Sequence, residues 1–216
     1  MNEGIGGCLM ITRIPCGNGN CFLIQDNNAS ILVDTSRPKY RDNILEQCRN
    51  ANVKLIVLTH GHMDHIQNAA YLSRELKVPV AIHKQDYELT KNNMLEPLSA
   101  HNLLGKLVLK ISIKSFEYDT IDEFEPTIFL SDGDSLLEYG IDGTVVELPG
   151  HTKGSIGIRI GEDLIVGDAL MNLFYPTKSM LYGDRKRMEK SAEYISNMSV
   201  NTIHFGHGKS VPNRKW

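Results

Sequence analysis

Short apolar runs alternate along the chain with amphipathic segments, a pattern that predicts strands followed by helices. Residues 55–58 are continuously apolar, as in a buried strand, and residues 65–76 place Ile66, Ala69 and Leu76 at helical spacing. The same periodicities predict further strands at residues 21–25, 29–33, 78–82, 127–130, 135–138, 145–148, 155–160, 164–166 and 202–205, and helices at residues 42–51, 85–91 and 187–196.

Each half of the chain contains several predicted strands and its own helices. This distribution predicts two sheets packed together and covered outside by helices, in one domain over residues 1–216. Residues 92–125 are the least regular stretch. Leu103, Leu104 and Leu107 favour a helix there, whereas residues 111–113 alternate like a strand, so the pattern leaves this stretch open.

The composition is that of an ordinary globular protein and is informative mainly in what it excludes. Apolar residues make up 41% and charged residues 23% of the 216 positions, with a net charge of −3. The pI of about 6.2 gives no electrostatic reason to expect a nucleic acid partner. No window reaches the roughly 18 consecutive apolar residues of a membrane span, and residues 1–10 do not resemble a signal peptide. We therefore expect a cytoplasmic protein that acts on a small molecule without a membrane partner; a homo-oligomer is compatible with this composition.

The cysteines fit a reducing compartment as free thiols; they are Cys8, Cys16, Cys21 and Cys48. Cys16 and Cys21 flank the sequence Gly-Asn-Gly-Asn, where a disulfide or a metal-binding knuckle is conceivable. A hairpin turn with Cys21 buried in its strand is favoured over both.

The strongest chemical signal is the sequence Thr-His-Gly-His-Met-Asp-His, which directly follows a predicted buried strand. His60 and His62 are separated by Gly61, which permits the sharp backbone path that two imidazoles need to converge on one ion. Asp64 and His65 begin the next helix and point to a neighbouring position. Imidazole and carboxylate together suit zinc, and also iron or manganese.

Three further predicted strands end in a similar way. His151, Asp168 and His207 each directly follow a glycine that comes after one of these strands. Because strand ends meet at one edge of an open α/β architecture, we expect these side chains to lie beside the histidine motif. The constellation predicts a metal site.

In this order the motifs resemble those of the metallo-β-lactamase-fold hydrolase superfamily, from the strand before Asp34 to His207. The resemblance implies an α+β fold, an αββα four-layer sandwich with two mixed sheets packed together and helices outside. It also implies two divalent metal ions, with zinc ahead of iron or manganese. One ion would be held by His60, His62 and His151, and the other by Asp64, His65 and His207, with Asp168 bridging the two.

The resemblance is to the compact, glyoxalase-II-like branch, since the chain ends shortly after His207 without the helical domain of the longer enzymes. It implies a hydrolase in which a metal-bridging hydroxide attacks the substrate, with Asp64 and Asp168 as catalytic carboxylates. The expected substrate is a small carbonyl ester, with a thioester ahead of a lactone. The alternatives are a phosphodiesterase or nuclease, which the acidic pI disfavours, and an iron-dependent redox or persulfide-handling protein of the same fold.

The substrate pocket is expected near residues 171–184, which follow Asp168 and show little periodicity. Aromatic side chains in such a loop can hold an acyl or leaving group, and a tyrosine hydroxyl can donate to a developing oxyanion. We therefore predict that Phe174, Tyr175 and Tyr182 line the pocket. Packing against a neighbouring helix or a dimer partner is an equal alternative.

Asp34 and the other histidines have weaker signals. The resemblance implies that Asp34 orients the histidine motif through a hydrogen bond, with a turn-forming aspartate as the alternative. His83, His101 and His204 are expected to be non-ligands, because the ligand positions of two metals are already filled.

Overall fold

Hydrogen-bonded strands form the framework of the computed structural model, which describes residues 9–26, 28–118 and 120–216. In chain order the strands of these residues are β1 (Met10–Cys16), β2 (Gly19–Asp26), β3 (Ala29–Val33), β4 (Val53–Val57), β5 (Val80–His83), β6 (Ser99–Ala100), β7 (Ile128–Leu130), β8 (Thr144–Glu147), β9 (Ile156–Ile160), β10 (Asp163–Ile165), β11 (Leu170–Met171), β12 (Thr177–Lys178), β13 (Leu181–Tyr182), β14 (Thr202–His204) and β15 (Val211–Pro212).

The helices lie between these strands. They are α1 (Arg41–Cys48), α2 (Met63–Ile66), α3 (Ala69–Leu76), α4 (Leu103–Tyr118) and α5 (Arg185–Asn197), with short 3-10 helices at Pro38–Tyr40, Lys84–Asp86, Glu88–Thr90, Asn93–Leu95 and Leu137–Tyr139. Within the described ranges, no helix is both long enough and apolar enough to cross a membrane.

Two large sheets pack face to face. One has the strand order β1-β2-β3-β4-β5-β7 and the other β15-β14-β10-β9-β8. Both sheets are mixed: β3, β4, β5 and β7 pair in parallel, as do β10 and β14, while the remaining neighbours are antiparallel. This arrangement confirms the predicted α+β sandwich of two sheets with helices outside.

Strand alternation explains why the layers hold together. In β2, Phe22 and Ile24 point into the core between the two sheets, whereas Cys21 and Leu23 point outward into the core beneath α1 and α3. A third core packs α5 against the outer face of the second sheet. Full burial of each such apolar side chain contributes roughly 1.5–3 kcal/mol, so shifting a strand by one residue would be strongly destabilising.

Several predicted elements have different structures. The strand predicted at residues 135–138 is wrong: Leu136 is buried and Leu137 exposed within a 3-10 turn, which imitates strand alternation. The helix predicted at residues 65–76 is two helices, because Asn68 between them donates to the backbone oxygens of Thr35 and Arg37. The helix predicted at residues 85–91 is a pair of 3-10 turns.

The irregular stretch at residues 92–125 contains the long helix α4, and the strand-like alternation at residues 111–113 lies inside it. Strand β1 was missing from the prediction because Arg13 and Pro15 interrupt its apolar pattern. It forms the edge of its sheet, where a proline is tolerated. Its hairpin with β2 places Cys16 and the buried Cys21 on facing strands as free thiols, as expected, while Cys8 lies outside the described residues.

Candidate metal centre

Strand ends bring the candidate ligands to one edge of the sandwich. The histidine motif follows β4, His151 follows β8, Asp168 follows β10 and His207 follows β14. Backbone hydrogen bonds connect these loops, from Ile156 N to Thr59 O and from Gly206 N to Gly167 O. All seven predicted ligand side chains therefore lie in one cluster.

The cluster divides into three overlapping groups, in each of which the candidate ligand atoms lie within 4.8 Å of one another. The groups are His60, His62 and His151; His60, His65 and Asp168; and Asp64, His65 and His207. The first and third groups are the two ligand sets that the family resemblance implies. That these residues bind metal stays a prediction.

Four of the five histidines turn the same ring nitrogen away from the cluster. Nδ1 of His60 lies 3.1 Å from Thr59 Oγ1, and Nδ1 of His65 lies 2.8 Å from Asp34 Oδ2. Nδ1 of His151 donates to the Leu181 carbonyl at 2.8 Å, and Nδ1 of His207 donates to the Asn18 carbonyl at 3.0 Å. Hydrogen bonds of this kind fix the tautomer, so that Nε2 is left free to bind a metal.

His62 is turned the other way. Its Nδ1 points into the cluster and lies 2.9 Å from Nε2 of His151. Its ring is stacked on Phe116 of α4, with ring centres 5.1 Å apart. The helix that the sequence left open therefore packs directly on a candidate ligand.

Unpartnered buried atoms face the centre of the cluster. Nε2 of His60, Nε2 of His65 and Oδ1 of Asp168 are buried and make no hydrogen bond within the described part of the chain. Burying such an atom without a partner costs about 1–3 kcal/mol, so the arrangement is unfavourable unless something else binds there. Nitrogen and carboxylate oxygen atoms are the ligands that zinc takes, and the residues present thus fit a divalent metal.

The charges in the cluster also suit cations. Burial lowers the pKa of His60, and it lowers that of His62 to about 3, so both imidazoles are neutral. Burial alone would raise the pKa of Asp64 and Asp168, but the neighbouring histidines, above all His207, hold both below their usual range. The carboxylates are therefore ionised at neutral pH.

Asp34 anchors the second ligand group. This buried carboxylate accepts hydrogen bonds from the backbone N of Thr59 at 2.8 Å and from Nδ1 of His65. Asp34 itself has a φ of 61°, a left-handed conformation that aspartate tolerates better than most residues. Its contacts are those of a residue that orients the histidine motif, as the resemblance implied.

Asp86 is a second buried carboxylate that supports the ligand loops, and sequence reasoning missed it. It accepts hydrogen bonds from Gly61 N at 2.9 Å, Thr152 Oγ1 at 2.7 Å and Gly154 N at 2.6 Å. These groups belong to the two loops that carry the first ligand group, and Asn93 donates to Gly61 O from the same side. Asp86 lies just beyond the end of β5, so the strand-end rule applied to that strand would have pointed to it.

A cavity of about 490 Å³ opens beside the cluster. Its wall contains five of the candidate ligands, and Phe174 lies in it as predicted. Tyr175 and Tyr182 do not line it: Tyr175 faces a different cavity, and Tyr182 pairs in β13 and stacks on His101. Among the described residues, the tyrosine in the wall is Tyr40, which precedes α1 and carried no signal in the sequence pattern.

The remaining histidines lie elsewhere. His83 contacts Glu147 at 3.2 Å, His101 is exposed, and His204 lies 2.8 Å from both Ser210 Oγ and Asp163 Oδ1. Among the described residues, none of these three belongs to a potential metal-binding group.

Comparison with known proteins agrees with this architecture. A family model described as the metallo-beta-lactamase superfamily matches residues 14–207. Hydroxyacylglutathione hydrolase 1 of Vibrio vulnificus is 26% identical over 196 residues, which are 90% of this chain and 64% of that protein. The chain thus spans less than two thirds of the length of this relative.

Solved structures show the same fold at low identity. The B3 metallo-beta-lactamase BLEG-1 superposes with a TM-score of 0.74 at 19% identity over 94% of each chain. The protein TTHA1623, solved in a di-iron-bound form, superposes with a TM-score of 0.68 at 20% identity over 94% of each chain.

Proposed function

Because the chain belongs to the metallo-β-lactamase superfamily of metal-dependent hydrolases, we propose that it holds two divalent metal ions and hydrolyses small carbonyl esters, with thioesters ahead of lactones. Zinc is proposed ahead of iron or manganese, because imidazoles outnumber carboxylates in the cluster. The description of TTHA1623 as di-iron-bound makes iron the first alternative to test.

The position of Asp168 carries the proposal. Its Oδ2 lies 3.7 Å from Nε2 of His151 and 3.3 Å from Nε2 of His207, and its Oδ1 lies 3.5 Å from Nε2 of His65. One carboxylate thus faces both ligand groups, the position that a bridge between two cations requires. A structural aspartate would instead be expected to use both oxygens in hydrogen bonds, as Asp86 does.

Two divalent ions bound by these residues would supply an activated water as nucleophile and would polarise the carbonyl oxygen of the substrate. The chain's own residues position the reactants. Asp64 lies at the cavity wall with Oδ2 3.5 Å from Nε2 of His207, where it can accept a hydrogen bond from the attacking water and orient it. The Nδ1 hydrogen bonds hold the imidazoles in place, so little reorganisation is needed during the reaction.

The preference for a thioester rests on similarity. The Vibrio vulnificus relative is named as a hydrolase of hydroxyacylglutathione, which is a thioester. The acidic net charge supports a small-molecule substrate rather than a nucleic acid.

A substrate panel tests the proposal. Metal-stripped protein would be reloaded with zinc, manganese or iron and assayed with an acetyl thioester, a lactone, a β-lactam and a phosphodiester. We expect no hydrolysis without metal and the highest kcat/KM for the thioester with zinc. Turnover of the phosphodiester above all others, or undiminished thioester hydrolysis by metal-free protein, would overturn it.

Matched variants assign the activity to the cluster. Asp168→Ala should lose one metal and nearly all hydrolysis while the fold survives, because two close cations lose the charge between them. His204→Ala removes a histidine that is hydrogen-bonded but lies outside the cluster, and should retain both metals and most activity. Full activity and full metal content in Asp168→Ala would exclude Asp168 as the bridge.

A further inference from the structure

The cavity beside the candidate metal centre has two unlike walls. The apolar part of its lining, here called the apolar wall, contains Val108, Ile111 and Phe116 of α4 together with Leu173 and Phe174. The part that contains the cations Arg37 and Lys39 is called the cationic wall. A volume of about 490 Å³ is large enough for a ligand well beyond an acetyl group.

The apolar wall lies on the side of the first ligand group. Phe116 stacks on His62, and Leu181, which also lines the cavity, accepts the Nδ1 hydrogen bond of His151 through its carbonyl. Ile111 in this wall has 64% of its surface exposed. An apolar substrate group lying there would remove that surface from water.

The cationic wall belongs to the same cavity lining as Asp64 and His207 of the second ligand group. Asn18, whose carbonyl accepts from Nδ1 of His207, lines the cavity together with Lys39 and Arg37. Arg37 also donates to Ser115 Oγ of α4 at 3.1 Å, so it joins the two walls. The ammonium group of Lys39 lies 4.7 Å from the centre of the Tyr40 ring, above the cavity wall that this ring forms.

We propose that the substrate is an amphiphilic acyl thioester, with an unbranched apolar acyl chain against α4 and an anionic thiol leaving group beside Arg37 and Lys39. This inference rests on the proposed function and names the substrate class for the same site.

The chemistry decides which half of the substrate faces which wall. Hydrolysis forms a bond between the water oxygen and the carbonyl carbon and breaks the carbon–sulfur bond. The departing sulfur keeps the bonding electron pair, and the products are a carboxylate, a thiol and a proton. Negative charge develops on the leaving group, so the cationic wall stabilises the transition state when that group lies beside it.

An acyl-chain series tests the apolar wall. The substrates are acetyl, butanoyl and hexanoyl thioesters of 3-mercaptopropionate, with the zinc-loaded protein. Each methylene that leaves water is expected to raise kcat/KM by about fourfold, so hexanoyl should exceed acetyl by on the order of a hundredfold. Equal or falling kcat/KM along the series, with the acetyl thioester still hydrolysed in a zinc-dependent way, overturns this inference and leaves the proposed function standing. No zinc-dependent hydrolysis of any of the three overturns both.

A matched pair of variants assigns the effect to the cavity. Ile111→Ser should reduce the ratio of kcat/KM for the hexanoyl thioester to kcat/KM for the acetyl thioester by at least fivefold. Leu103→Ser is the control, because Leu103 is 85% exposed on the same helix but does not line the cavity. It lies eight residues before Ile111, about 12 Å along the helix axis, beyond a six-carbon chain. Equal effects of the two substitutions would contradict the assignment.

The leaving group is tested separately. Hexanoyl thioesters of 3-mercaptopropionate and of N-acetylcysteamine differ in that only the first carries a negative charge. We expect the anionic substrate to have a lower KM, and Lys39→Gln to remove most of that difference. The control is Lys54→Gln, which alters an exposed lysine of β4 outside the cavity. A preference for the neutral substrate, or an unchanged preference in Lys39→Gln, would overturn the anionic half of the inference.

Discussion

Substituting Asp86 by asparagine tests whether a buried carboxylate holds the first ligand group in place. Asp86 is fully buried, and both of its oxygens accept hydrogen bonds, Oδ1 from Gly154 N and Oδ2 from Gly61 N and Thr152 Oγ1. Asparagine has the same shape, but its NH₂ group must replace one oxygen. At least one backbone N–H then faces another donor instead of an acceptor.

The expected loss follows from these contacts. A hydrogen bond to a charged group contributes about 1.5–3 kcal/mol, and a buried donor left without an acceptor costs about 1–3 kcal/mol. The oxygen that asparagine retains is uncharged, so its remaining hydrogen bonds are weaker as well. We therefore expect Asp86→Asn to lower the free energy of unfolding by about 2–4 kcal/mol. That is a large share of the roughly 5–15 kcal/mol that stabilises a typical domain.

The same substitution should weaken one metal site and spare the other. Gly61 lies between His60 and His62, and Thr152 follows His151, so the first ligand group loses its support. Removing a residue that orients metal ligands typically lowers affinity about 10- to 100-fold. In competition with a chelator, zinc binding by the first ligand group should therefore be weaker, and zinc binding by the second ligand group should be unchanged.

The measurements are urea unfolding of the metal-free protein and chelator competition of the zinc-loaded protein. Asp142→Asn is the control, because Asp142 is exposed and its substitution should change stability by less than about 0.5 kcal/mol. The reasoning is refuted if Asp86→Asn matches this control in unfolding and binds both zinc ions as tightly as the unsubstituted protein.

Three further predictions concern the second ligand group. Asp34→Asn should weaken zinc binding by the second ligand group about 10- to 100-fold, because an NH₂ group replaces one of the two oxygens that accept from His65 Nδ1 and Thr59 N. Chelator competition that shows the same weakened site as Asp86→Asn would contradict this. Gly206→Ala should reduce the amount of bound zinc, because the added Cβ would lie 2.5 Å from Asp168 Oδ1 and 2.8 Å from His65 Cε1. Elemental analysis that finds two full equivalents of zinc in this variant would refute the prediction. Burial alone would lower the pKa of His65, but Asp34 and Asp168 raise it to about 9 in the metal-free protein, so a proton competes with zinc for this imidazole below that pH. The zinc affinity should therefore rise between pH 6 and 9. A zinc affinity that does not change over this pH range would exclude the competition.

The grouping of the candidate ligands was predictable because it depends on local patterns. His151, Asp168 and His207 each follow a glycine after an apolar strand, and strands of a packed sheet end at a common edge. The apolar run at residues 21–25 likewise predicted a strand there, and β2 contains these residues. These features require only the periodicity of one segment at a time.

Contacts between loops were not predictable in this way. Asp86 accepts hydrogen bonds from Gly61 and Thr152 only because three loops lie side by side. The periodicity of a single segment does not predict how separate loops are arranged. The same holds for the cavity wall, where Tyr40 takes the place that the sequence suggested for Tyr175. Strand-like alternation inside α4 concealed the helix that packs on His62.

Anomalous diffraction at the zinc absorption edge, from crystals of zinc-loaded protein, tests the central claim most directly. We predict two anomalous peaks, one among His60, His62 and His151 and the other among Asp64, His65 and His207, with Asp168 between them. A single peak, or a zinc-loaded structure in which His151 or His207 points away from the cluster, would contradict the dinuclear site.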